Sequence, residues 1–143
     1  MYEVDQVDSR DDPERFVRQL SEYIADRRIT LEVCVTSNLQ TNPDLKSVAD
    51  HPLGRMVRER LSVTLCTDNR LVSGTTVARE LMLATQAFPI NPAELRNMIL
   101  HGFKRSFYPG SYLEKRAYVR QIIDFYDQIV AKHGLPSSER GDA

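Results

Sequence analysis

The sequence predicts an α/β fold: two parallel strands in one βαβ unit, followed only by helices. Three observations carry this prediction. Two β-branched apolar runs, ITLEVCV at 29–35 and LSVTLCT at 61–67, have the composition of buried strands. Between them lies a helical pattern, and the order strand, helix, strand implies parallel pairing through a right-handed crossover. Beyond residue 67 every apolar pattern has helical spacing.

The elements follow in order. The first dozen residues are charged and aperiodic, which predicts a flexible arm over 1–12. A helix then begins, with Asp11 or Asp12 as cap, Pro13 in the first turn and Glu14 favouring the dipole. Phe16, Leu20, Tyr23 and Ile24 share one of its faces, and Arg27 and Arg28 stand at its cation-favouring end. After the first strand, TSNLQTNP (36–43) has loop chemistry. Leu45, Val48, Leu53, Met56, Val57 and Leu61 give a helical pattern broken at His51-Pro52, so a short helical turn, a break and a second helix are expected. Three helices follow the second strand, over 74–88, 91–108 and 111–134. Asn91 and Pro92 start the second of these; Ser111 and Glu114 form a capping box for the third, and Gly134 stops it. Phe103, Phe107, Tyr118, Ile122 and Phe125 recur at helical spacing and are expected to pack the last two helices together. One domain over 13–134 and a disordered tail over 135–143 result.

This count leaves a physical problem. Parallel sheets are almost always covered on both faces, and two strands cannot achieve that. Both runs are too apolar for open edges, so they are expected to pair with strands outside this chain.

Composition narrows the function. At 143 residues, with 41% hydrophobic and 27% charged residues, the chain can form one domain with a core. A net charge of −1 gives no electrostatic ground for nucleic acid or an anionic membrane as partner. No apolar run approaches the roughly 18 residues of a membrane helix, and the acidic N-terminal sequence is unlike a secretory signal. The 2 cysteines, Cys34 and Cys66, lie inside apolar runs without C-x-x-C spacing, which suits small buried hydrophobes in a reducing compartment. A cytoplasmic location is expected.

The chemistry concentrates at the strand ends. In α/β sheets and barrels, ligands bind beyond the carboxyl ends of strands. TSNLQ and TDNRLVSGTT occupy that position. Asp68 lies just past the second strand, where a carboxylate can ligate a metal or hold a nucleophilic water. The alternative is that Asp68 or Asn69 caps a turn.

A resemblance adds to this reading. LEVCVTSNLQT (31–41) followed by DHPLGRMVRERLSVTLCTDNRLVSGTTVARELMLA (50–84) is similar to the C-terminal end of the adenosine deaminase family. Those are zinc enzymes of the amidohydrolase superfamily, built on a (β/α)₈ TIM-type barrel. Cys34, Thr36, Ser37 and Asn38 match its Cys-x-Thr-Ser-Asn step, and His51, Pro52 and Leu53 its His-Pro-hydrophobic step. Thr67 and Asp68, then Ser73, Thr75 and Thr76, match the Thr-Asp-Asp strand end and the segment after it.

The resemblance implies that Asp68 is the zinc-ligating carboxylate that also orients the attacking water. It places Asn69 where the family has a second aspartate, facing the purine. This is a departure, because an amide donates as well as accepts. Arg70 adds a positive charge beside it, or is a solvated loop charge.

The family's histidine ligands and its glutamate proton donor have no counterpart here. Of the 3 histidines, His51 belongs to the helix start, His101 reads as a packed or half-exposed helical residue, and His133 favours a helix C-terminus. One carboxylate cannot hold a catalytic zinc, and a barrel needs roughly 250 residues. The chain therefore reads as the C-terminal part of such a barrel, from a split or truncated product or an expressed fragment. Zinc and a purine nucleoside or aminopurine substrate are expected only in the complete barrel, the isolated chain being inactive. Its partner would be the missing N-terminal barrel half, or a second copy joined through exposed strands. The alternative is a non-catalytic helical interaction or self-association module.

Overall fold

The computed structural model describes residues 12–134. The expected arm, Asp12 apart, and the expected tail lie outside the described residues.

The first helix, α1 (Pro13–Asp26), starts where Asp12 accepts a hydrogen bond from the Arg15 backbone N–H at 2.9 Å. Its apolar stripe is only partly covered within the described residues: none of its residues is buried, Phe16, Leu20 and Tyr23 are exposed, and Ile24 is half-buried. Two short strands follow, β1 (Leu31–Val33) and β2 (Val63–Leu65). They pair in parallel, Leu31 opposite Val63 and Val33 opposite Leu65.

The expected loop over 36–43 is instead a helix, α2 (Val35–Thr41). The polar run forms a helix because tertiary burial outweighs its turn propensity. Val35 and Ser37 are buried, and the Thr41 hydroxyl donates back to the Ser37 carbonyl at 2.8 Å. A 3₁₀ turn (Val48–Asp50) and α3 (Leu53–Arg58) flank the break at His51-Pro52, as the sequence predicts.

After β2 come α4 (Arg70–Ser73), α5 (Val77–Ala87), α6 (Pro92–Lys104) and α7 (Tyr112–Lys132). Both expected N-termini of the last two helices are present: Asn91 with Glu94 and Ser111 with Glu114 form capping boxes. The helix read as 91–108 ends at Lys104, so the segment after it is a turn.

The core gathers Val33, Val35, Leu53, Val63, Leu65, Ala84 and Met98, with Leu39, Met56, Leu81 and Phe88 around them. α6 packs on β2, α5 lies against α2 and β2, and α7 lies on α6. The approach of α6 to β2 is close enough that a Cβ at Gly102 would meet the Thr64 Oγ1 at 2.9 Å.

The expected aromatic seam between α6 and α7 needs correction. Phe103 and Tyr118 meet edge to face at 6.3 Å, but Phe107 is 103% exposed and Phe125 61% exposed. Phe107 lies past the end of α6, outside the helical spacing that placed it on the seam, and Tyr108 stacks on Tyr118 at 5.3 Å.

The result is an α/β fold with a small parallel sheet and mostly helices, consistent with a part of a (β/α)₈ barrel. Among the described residues no helix is long and apolar enough to cross a membrane.

Candidate functional site

Both strands run in the same direction, so their carboxyl ends open side by side. The turn out of β1 becomes the first turn of α2, and the turn out of β2 carries Asp68. Asp68 has φ +52°, in the left-handed region that acidic and amide residues tolerate better than other side chains. That backbone turn directs the next residue into α4. Asn69 is the helix cap, its Oδ1 accepting from the Val72 N–H at 3.2 Å. Gly74, at φ +61°, ends α4 after one turn.

The Ser37 hydroxyl donates to Asp68 Oδ2 at 2.8 Å, joining the two strand ends directly. Asp68, Asn69 and Arg70 are all exposed. The Asn69 carboxamide oxygen is committed to the cap, while its Nδ2 remains to donate outward.

Asn38 is tied to the His-Pro step. His51 is buried, and its Nδ1 accepts from the Leu53 N–H at 3.0 Å. That bond fixes the proton on Nε2, which donates to Asn38 Oδ1 at 3.0 Å. Burial holds the His51 pKa below its ordinary value, against the opposing pull of the Glu80 charge. His101 is half-buried beside the Val63 carbonyl, 3.3 Å from its Nδ1, and burial lowers its pKa as well. His133 caps the end of α7.

Glu80, on α5, is the residue that reading the sequence missed. It is 0% exposed. Its carboxylate accepts from the Thr36 N–H at 3.0 Å, from the Thr36 hydroxyl, and from the Thr75 hydroxyl at 2.6 Å. One buried carboxylate thus ties the first turn of α2 to the loop after α4. The local sequence gives no sign of it, because the Thr36 partner lies 44 positions away.

Cys34 and Cys66 are half-buried rather than fully buried, with their sulfurs 3.0 Å apart. Burial first, then Cys66 and the Asp68 charge, push the Cys34 thiol up to about 12. The Asp68 backbone N–H acts in the opposite direction. Among the described residues no three His, Cys, Asp or Glu side chains group to hold a metal. Asp68 alone does not fit a zinc site, which takes about three protein ligands.

A carboxylate and an amide stand at the mouth of a βαβ unit, joined to the neighbouring strand end by a serine, in the place beyond the strand ends where α/β folds hold their ligands. The comparisons make that class particular. The adenosine deaminase family profile matches residues 6–125. The adenosine deaminase of Mycobacteroides abscessus is 35% identical over 120 residues, covering 84% of this chain and 32% of its own length. That of Mycobacterium avium is 38% identical over 105 residues, covering 73% of this chain and 28% of its own. The chain belongs to the adenosine deaminase family.

Solved structures agree in fold. An adenine deaminase from Arthrobacter aurescens superposes with a TM-score of 0.64 at 19% identity, over 76% of this chain and 32% of that one. Arabidopsis ADAL in complex with GMP gives 0.61 at 23%, over 73% and 30%. The chain spans about a third of the length of the relatives it matches.

Proposed function

We propose that this chain supplies the C-terminal part of a zinc-dependent deaminase acting on adenosine or a related aminopurine. The supporting observation is the position of Asp68, at the mouth of β2 and held by Ser37, in a chain of the adenosine deaminase family. Hydrolytic deamination consumes water, replaces a ring C–NH₂ by C=O and releases ammonia. In this reading Asp68 is both the chain's metal ligand and its catalytic carboxylate. With Oδ2 engaged by Ser37, Oδ1 is the oxygen that accepts from the reacting water. Asn69 is the substrate-binding residue. Its Nδ2 donates to a ring nitrogen of the purine, a hydrogen bond that an ionised aspartate could not supply.

The histidine ligands and the proton donor belong to the part of the barrel that this chain does not contain, so the chain alone is inactive. The test is complementation. The chain is mixed with the separately produced N-terminal two-thirds of a related adenosine deaminase and with zinc, and ammonia release from adenosine is followed. Activity is expected only in the mixture, and Asp68→Ala should lower it by about 10²-fold or more. A folded chain that gives no activity in any mixture and binds no zinc would favour the non-catalytic interaction module.

A further inference from the structure

The pairing that brings Ser37 to Asp68 also brings two thiols together. Val33 and Leu65 are register partners, so Cys34 and Cys66 occupy the next rung on the adjoining strand ends. The Cys66 N–H donates to the Val33 carbonyl at 3.0 Å, which fixes the two backbones against each other at this rung. The sulfurs are 3.0 Å apart and both cysteines are reduced. Neighbouring strands lie about 4.8 Å apart. That spacing falls inside the roughly 4.4–6.8 Å range of Cα separations that a disulfide spans. Closing the bond needs the sulfurs to approach by about 1 Å, a side-chain movement rather than a rearrangement of the chain.

We propose that Cys34 and Cys66 form a reversible disulfide across the mouths of β1 and β2, a redox modification site directly behind Asp68. The oxidant is a low-molecular-weight disulfide such as glutathione disulfide. The thiolate of one cysteine attacks it, forming a mixed disulfide and releasing one glutathione thiolate. The second cysteine attacks the protein sulfur of that mixed disulfide and releases the other. Two protein thiols are oxidised, one glutathione disulfide is reduced, and the two thiol protons pass to the leaving thiolates. Cys66 lies two residues before Asp68 in the same turn out of β2, so drawing its sulfur towards Cys34 bears on the backbone that carries the carboxylate.

The experiment uses the full chain, equilibrated at a series of ratios of glutathione disulfide to glutathione, then alkylated and examined by intact mass and non-reducing peptide mapping. The expected result is a monomer lighter by two hydrogens, a peptide pair linking positions 34 and 66, and full reversal by dithiothreitol. Hydrogen exchange at the Asp68 and Asn69 amides should change several-fold on oxidation. Cys66→Ala should give no internal disulfide and no such change; Cys34→Ser serves the same purpose if that variant fails to fold. Two free, alkylated thiols at the most oxidising ratio would overturn the proposal. So would cross-links formed only between chains.

Discussion

A carboxylate shut off from water needs donors for its oxygens, and Glu80 has three, two from Thr36 in the first turn of α2 and one from Thr75 in the loop after α4. Removing the acceptor leaves those donors unsatisfied at about 1–3 kcal/mol each. Glu80→Ala should therefore cost several kcal/mol, read as a large fall in urea midpoint, with Glu80→Gln recovering part of it. His51 gives a pH test. Its folded-state pKa lies below the unfolded 6.5, so its contribution to stability is present above 6.5 and is lost as pH falls through the folded value. An NMR titration of the His51 ring should give a midpoint below 6.5. The position of Asp68 and Asn69 just past the second strand was legible from the sequence because the apolar strand pattern stops shortly before them. Glu80 was not, since a single glutamate in an amphipathic helix normally marks a solvated face.

Helix ends were read well where they are written locally, and poorly where distant packing decides them. The Asn91 cap of α6 and the Ser111–Glu114 capping box of α7 depend on residues close in sequence, and both formed as expected; Glu94 completes a second box at α6 that was not expected. Ser111→Ala should cost about 1 kcal/mol, measured as a lower thermal midpoint. α2 was not legible, because its residues favour turns and only burial against the rest of the molecule makes them helical. The aromatic residues of the last helices show the same division: Phe103 and Tyr118 meet, while Phe107 lies beyond the helix that the periodicity extended too far. The contact of α6 with β2 depends on a missing side chain. Gly102→Val would drive a branched group into Thr64 and should destabilise the protein by about 1–3 kcal/mol in denaturant titration.

At the scale of the whole molecule, the described residues form a sheet of only two parallel strands and leave the α1 side chains Phe16, Leu20 and Tyr23 exposed, apolar surface of the kind that marks an association site. The sequence foretold the shortage of strands from composition alone. It did not foretell that the α1 stripe would be left partly exposed among the described residues, because helical periodicity marks an apolar face without saying what covers it. The purified chain should self-associate, with light scattering giving a mass above the monomer's. Leu20→Glu, on that exposed stripe, should shift the population towards monomer while leaving thermal stability within about 0.5 kcal/mol. A chain that is monomeric without the substitution would mean that the stripe is covered in some other way.

The left-handed backbone of Asp68 has a consequence for how this protein would change under selection. A left-handed residue is held there at a cost, and glycine or asparagine meets the same geometry more cheaply. A library randomised at this codon and sorted only for soluble, folded protein should therefore drift from Asp68 towards Gly and Asn. Sorting for turnover in the complemented barrel should drive it back. The difference between the two enrichment profiles would measure how far the aspartate is kept for chemistry rather than for folding.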